Sequence, residues 1–142
     1  MAATLLPDAP LIWLARDPLD CALSCFRTRF AGEAPWSFDL EDIAFHFRLE
    51  DELLAQWRQI LGERLLVVPY ESLVTDPPAW IGRILEHCGL AKEVGPFAPH
   101  EDLRPVTTSS VMQVRRPINR QGIGSAEPYR EFLEPFIAAY HR

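Results

Sequence analysis

The feature that most constrains the fold is a short apolar run that breaks straight into a helix start. Leu11-Ile12-Trp13-Leu14-Ala15 is followed without a linker by Arg16-Asp17-Pro18. A continuous apolar run of this length reads as a strand buried on both faces. Asp suits the N-cap and Pro the first helical position, where its missing N–H costs nothing. A second run, Leu65-Leu66-Val67-Val68, ends at Pro69, and Asp76-Pro77 then opens another helix. Strands of this kind alternating with helices predict an α/β fold with a parallel sheet flanked by helices. Two strands make a poor sheet, since an open α/β domain normally has more. The first strand also stands close to the start of the sequence, so the reading is of the C-terminal portion of one domain spanning 1–142, its front absent.

Between and after the strands, periodicity places the helices. The first runs from Pro18 to about Phe30, followed by a loop over 32–37 with Gly32 and Pro35. Leu40, Ile43, Ala44, Phe47, Leu54, Trp57, Ile60 and Leu61 recur at three- and four-residue spacing, predicting a long amphipathic helix over about 39–61. Asp39 is its expected cap and Gly62 its stop, and Phe45, Phe47 and Trp57 are expected in the core. The helix opened by Pro77 should run to about Cys88, with Gly89 as its stop. Residues 91–127 contain Pro96, Pro99, Pro105 and Pro117 and read as a long irregular segment, which in a compact domain is usually functional. Tyr129 to Tyr140 reads as a last helix, with Phe132, Phe136 and Tyr140 on one face and Pro135 kinking it.

Composition narrows the function classes. The chain has 142 residues, 48% of them hydrophobic, enough for one domain with a sizeable core. No apolar run approaches a membrane span and the N-terminus lacks the basic region of a secretory signal, so a cytoplasmic protein with no membrane partner is expected. Cys21, Cys25 and Cys88 are odd in number, and Cys21 and Cys25 lie four apart on one helical face, poor disulfide geometry. They read as reduced, mostly buried thiols. A net charge of −6 argues against non-specific nucleic-acid binding. The charge is uneven: acids concentrate over 39–52, whereas 103–126 has no acid and carries Arg104, Arg115, Arg116 and Arg120. That stretch suits either a local anion site or a solvated basic face.

The first strand-to-helix junction suggests chemistry of its own. A helix N-terminus offers unpaired N–H groups and partial positive charge to an anion. Arg16 adds a planar fork of donors, and Ser24 could reach the same anion if the ligand lies along the helix flank. Together they describe a phosphate site at the carboxyl end of a strand. A capped helix with Arg16 in a surface ion pair fits the same spacing, which leaves both open. The histidines at 46, 87, 100 and 141 are read as surface or core residues.

Three ordered segments carry a family resemblance. Pro7 to Asp20, with Ser24, resembles the 3′-phosphate-binding element of sulfotransferases, which use 3′-phosphoadenosine 5′-phosphosulfate (PAPS) and release 3′-phosphoadenosine 5′-phosphate (PAP). Pro69-Tyr70-Glu71-Ser72-Leu73-Val74-Thr75-Asp76-Pro77 resembles the family's Tyr-Glu-x-Leu-x-x-x-Pro element. Thr107 to Asn119 resembles the late loop of the bacterial and tyrosylprotein-sulfotransferase-like branch. The resemblance implies a partial P-loop-type domain in which Arg16 and Ser24 bind the 3′-phosphate and Tyr70 lies near the adenine. It implies that Ser110, Gln113, Arg115, Arg116 and Asn119 wrap the nucleotide as a lid. Arg116 stands where the tyrosylprotein branch has a lysine, and Ala126 where a Trp usually precedes the last Tyr. The implied Gly-rich 5′-phosphosulfate loop and the general base are not found: Gly122-Ile123-Gly124 comes late, lacks Lys and follows no strand. The expected activity of a complete enzyme is sulfuryl transfer to a hydroxyl or amine acceptor, the acceptor itself being unreadable. The missing half, or helical repeats upstream, is the expected partner. A non-catalytic nucleotide-binding or interaction module is the alternative. A P-loop kinase relative is disfavoured by the lack of a Walker-type loop.

Overall fold

The computed structural model describes residues 6–28, 30, 34–91 and 117–142. Strand β1 (Leu11–Ala15) and helix α1 (Pro18–Thr28) are separated only by Arg16 and Asp17. Asp17 caps α1, its Oδ1 accepting from the Asp20 N–H at 2.9 Å. A 3₁₀ turn over Pro35–Phe38 leads to helix α2 (Leu40–Leu61). Asp39 caps α2 through the N–H groups of Glu41 and Asp42, and Gly62 ends it at φ 53°, a conformation that favours glycine. Strand β2 (Leu65–Pro69) passes directly into the short helix α3 (Tyr70–Thr75), and Asp76 then caps helix α4 (Pro77–His87). Among the described residues the chain resumes at 117 as successive turns, a 3₁₀ segment over Glu127–Leu133, and helix α5 (Glu134–Tyr140).

The strands pair in parallel, with Leu11 opposite Leu65 and Ala15 opposite Pro69. The result is an α/β fold with a two-stranded parallel sheet and flanking helices, as the sequence predicts. Because the strands are level, their carboxyl ends meet at one edge, which sets Arg16 beside Tyr70. The opposite ends are pinned too. Arg64 donates to the Leu6 and Ala9 carbonyls at 3.1 and 3.2 Å, and His87 Nε2 lies 3.1 Å from the carbonyls of Leu11 and Arg64. No described helix is long and apolar enough to cross a membrane.

The core lies between α1, α2 and α5, where Ala22, Ile43, Ala44, Phe136 and Ala139 are buried together. Phe47 meets Phe136 edge to face at 5.8 Å, a favourable aromatic geometry. A smaller cluster joins Leu23, Ala126 and Leu133. Several expectations change here. Ile60 is 77% exposed, and Phe45 and Trp57 are exposed rather than core. Phe45, Leu49, Leu53 and Trp57 recur every fourth residue as a second apolar stripe, turned away from the one bearing Ile43, Ala44 and Leu54. Apolar side chains thus cover too much of the α2 circumference for one packed face to hide. Trp57 keeps an edge-on contact with Trp13 at 5.7 Å. At the C-terminus the expected single helix is a 3₁₀ segment followed by α5. A 3₁₀ segment turns once every three residues. Leu133, which ends that segment, is buried while its neighbour Phe132 is 77% exposed, and Phe136 is buried in α5. Pro135 lies in the first turn of α5 rather than kinking it, where its ring and missing N–H are tolerated.

Candidate functional site

Arg16 is the first residue beyond β1, and two elements hold its side chain. Its guanidinium carbon lies 4.7 Å from the centroid of the Tyr70 ring, which opens α3. Its Nη2 donates to the Gly122 carbonyl at 2.7 Å, across 106 residues of sequence. Its Nε is buried and has no hydrogen-bond partner among the described residues. A side chain at Gly122 would collide with this arrangement: a Cβ there would stand 2.9 Å from Arg16 Nη2 and 3.0 Å from the Tyr70 hydroxyl. The two sequence elements are also joined by a backbone-to-side-chain bond, because the Asp17 N–H donates to Glu71 Oε1 at 2.8 Å.

Arg16 borders a cavity of about 440 Å³ with Leu23, Ser24, Arg27, Thr28 and Ser125. Ser24, Arg27 and Thr28 stand at i, i+3 and i+4 on α1 and so share one face. The turn after residue 117 brings in Ser125. Its hydroxyl proton goes to Asp20 Oδ1 at 3.0 Å, so Ser125 contributes wall rather than a free donor. Two arginines and two α1 hydroxyls around one cavity suit a multiply charged oxyanion.

The residues singled out from sequence divide into three groups. Arg16 and Ser24 meet at this cavity. Tyr70 stands against Arg16, with its ring under the guanidinium. Asn119 is exposed, donating to the Pro117 carbonyl at 3.2 Å and accepting from the Gln121 N–H at 3.1 Å, a local turn away from the cavity lining. Ser110, Gln113, Arg115 and Arg116, like most of the segment 91–127, lie outside the described residues. Sequence reasoning missed Arg27, Thr28, Gly122, Asp20 and Glu71. Arg27 and Thr28 carried a usable signal in their spacing from Ser24. The others act through partners more than 50 residues away.

Arg16 also borders a second cavity, of about 180 Å³, walled by Trp13, Phe47 and Leu54 and carrying Cys21, Glu50, Asp51 and Tyr140. Tyr140 donates its hydroxyl hydrogen to Asp51. Burial, and then that bond, push the Tyr140 hydroxyl up to about 12. Burial pushes the Cys21 thiol up to about 11 against the opposing pull of Arg16, and burial also raises Cys25. All three cysteines are free thiols. Of the histidines, His46 stacks on Trp36 at 4.1 Å and pairs with Glu50 at 3.2 Å, and His87 serves the far strand ends. Neither borders the Arg16 cavities.

Residues 1–93 match the sulfotransferase family. An uncharacterized protein of Aquifex aeolicus (strain VF5) is 30% identical over 134 residues, covering 92% of this chain. The chain spans 18% of the length of that relative.

Proposed function

The chain belongs to the sulfotransferase family, whose reaction is sulfuryl transfer, and from that premise we propose that its Arg16 cavity grips the 3′-phosphate of PAPS or PAP. The Nε of Arg16, buried and without a partner among the described residues on a side chain that borders that cavity, carries the reading. A buried N–H without an acceptor is costly, and a phosphate oxygen would satisfy it. The residues fit the group: Arg16 and Arg27 supply charge, and Ser24 and Thr28 supply hydroxyl donors. PAPS, when bound, supplies the activated sulfuryl group. The part of this chain is to bind and orient. Tyr70 and the Gly122 carbonyl fix the plane of the Arg16 fork, so little freedom is lost when an anion arrives. Tyr70 is assigned to the adenine by resemblance. Ser110, Gln113, Arg115, Arg116 and Asn119 are assigned to the nucleotide by resemblance.

We further propose that this segment forms part of a larger sulfotransferase domain whose 5′-phosphosulfate loop and general base stand outside it. The exposure of Ile12 and Leu14, at 46% and 55% on a parallel strand of the kind normally covered on both faces, supports this. So does the small share of the relative that the chain covers. The acceptor is a hydroxyl or amine compound of unspecified identity. Calorimetric titration with PAP, adenosine 5′-monophosphate and adenosine tests the reading. PAP should bind at least about tenfold more tightly than the monophosphate, the effect of one charge-assisted contact set. Equal affinities would remove the 3′-phosphate assignment and leave a general nucleotide-binding or interaction module.

A further inference from the structure

We infer that Asp20 is the positioning residue of the phosphate site, holding the turn at 122–126 so that the Gly122 carbonyl fixes the Arg16 guanidinium. This deepens the 3′-phosphate reading and rests on it for the identity of the ligand.

The observation is a buried carboxylate used entirely on one turn. Asp20 is 2% exposed. Its Oδ2 accepts from the Gly124 N–H at 2.8 Å, and its Oδ1 accepts from the Ser125 hydroxyl at 3.0 Å and the Ala126 N–H at 2.8 Å. Asp20 stands three residues after the N-cap, where an acidic side chain commonly folds back onto the cap's own N–H. That N–H, on Asp17, is occupied by Glu71 Oε1. Both Asp20 oxygens are therefore released toward the turn. Burying a carboxylate is costly, and three donors together with the positive end of α1 offset the cost. The structure spends that arrangement on placing residues 124–126.

The placement reaches Arg16 within a few bonds. Turn hydrogen bonds link Ile123 N–H to the Arg120 carbonyl at 3.0 Å and Glu127 N–H to the Gly124 carbonyl at 3.2 Å. These two turns, adjacent in sequence, connect the Asp20 anchor at 124–126 to residues 120–123. Gly122 sits inside the first of them, its carbonyl on Arg16 Nη2, and a Cβ added there would stand 3.0 Å from the Tyr70 hydroxyl. If the anchor slackens, the carbonyl withdraws and the fork turns on the Tyr70 ring. Asp20 touches no nucleotide in this account; it acts through Gly122 and Arg16.

The test compares PAP and adenosine 5′-monophosphate binding in Asp20→Asn, Gly122→Ala and Arg16→Ala, alone and combined. Asn retains the size but turns one donor-facing oxygen into an N–H₂ group. The preference for PAP should fall about tenfold in Asp20→Asn, the scale of losing a well-aimed charged contact, with monophosphate affinity nearly unchanged. Gly122→Ala should do the same from the other end of the turn. In an Arg16→Ala background Asp20→Asn should leave the preference where Arg16→Ala put it, because the two act in series. A lowered melting temperature with the preference intact would reduce Asp20 to a structural anchor and overturn the proposal, as would additive losses. If Asp20→Asn does not fold, Ser125→Ala removes one of the three donors and should lower the preference in the same direction; an unchanged preference there and in Gly122→Ala overturns the idea. If the unaltered chain shows no preference for PAP, the ligand reading fails on its own. The NMR signal of the Arg16 Nε–H in the ligand-free chain then decides the positioning: a shift shared by Asp20→Asn and Gly122→Ala supports it, and an unmoved signal refutes it.

Discussion

Replacing Arg16 with alanine removes three contacts at once, and they separate by assay. The first is the contact proposed to the ligand. A charge-assisted hydrogen bond contributes about 1.5–3 kcal/mol, which corresponds to roughly tenfold to 150-fold in affinity. The second is the 2.7 Å bond to the Gly122 carbonyl, which ties residue 16 to a turn 106 positions later. It should cost about 1 kcal/mol of stability, since the freed carbonyl lies at a partly solvated site. The third is the guanidinium on the Tyr70 ring, worth about 0.5–1 kcal/mol at a half-exposed position. Arg16→Ala should therefore lower PAP affinity by more than about tenfold and lower the melting temperature by only a few degrees. Calorimetry with PAP and the monophosphate isolates the first effect, because the monophosphate has no 3′-phosphate to lose. Equal losses for both nucleotides would refute the assignment of Arg16 to that group and point to general collapse of the site. Arg16→Lys sharpens the comparison: it keeps the charge but not the fork, so intermediate PAP affinity is expected.

Phe136→Ala should destabilise the protein by about 3–5 kcal/mol in denaturant titration, whereas exposed Phe132→Ala should stay within about 0.5 kcal/mol. Arg27→Ala should weaken PAP binding about tenfold at low salt with less effect on the monophosphate, measured by titration calorimetry. The raised Tyr140 hydroxyl works through linkage: its contribution is complete below the ordinary tyrosine value of 10.0 and disappears as pH climbs toward about 12. The alkaline fall in stability should be shallower in Tyr140→Phe, which a melting series across that window would show. Because burial raises the Cys21 thiol to about 11, its alkylation near neutral pH should be at least about tenfold slower than that of a small free thiol, followed by mass spectrometry.

Local signals made much of the fold legible. Asp17-Pro18, Asp39, Gly62, Asp76-Pro77 and Gly89 each mark a boundary by backbone chemistry that needs no distant partner. The parallel sheet followed from apolar runs that could be buried on both faces. Helix α3 is not legible in the sequence because six residues are too few to show a period. A 3.6-residue period misplaces Phe132, because its segment winds more tightly. The second apolar stripe on α2 could not be assigned to exposure, since a sequence states which residues are apolar but not which of them find cover. At the site, Arg16 and Ser24 were visible as a strand exit and a helix flank. Asp20, Glu71 and Gly122 were not, because their meaning comes from contacts made across the fold. Gly122 fails the pattern of a phosphate loop, and its use is a different one: room for Arg16 and Tyr70, and a carbonyl that accepts from Arg16.

The most direct measurement is phosphorus NMR of PAP as the chain is added. Its two phosphates give separate signals, so each reports its own environment. The 3′-phosphate signal should shift or broaden with saturation, while the 5′-phosphate signal changes less, and Arg16→Ala should abolish the difference. Equal perturbation of both signals, or a larger effect on the 5′-phosphate, would contradict the account.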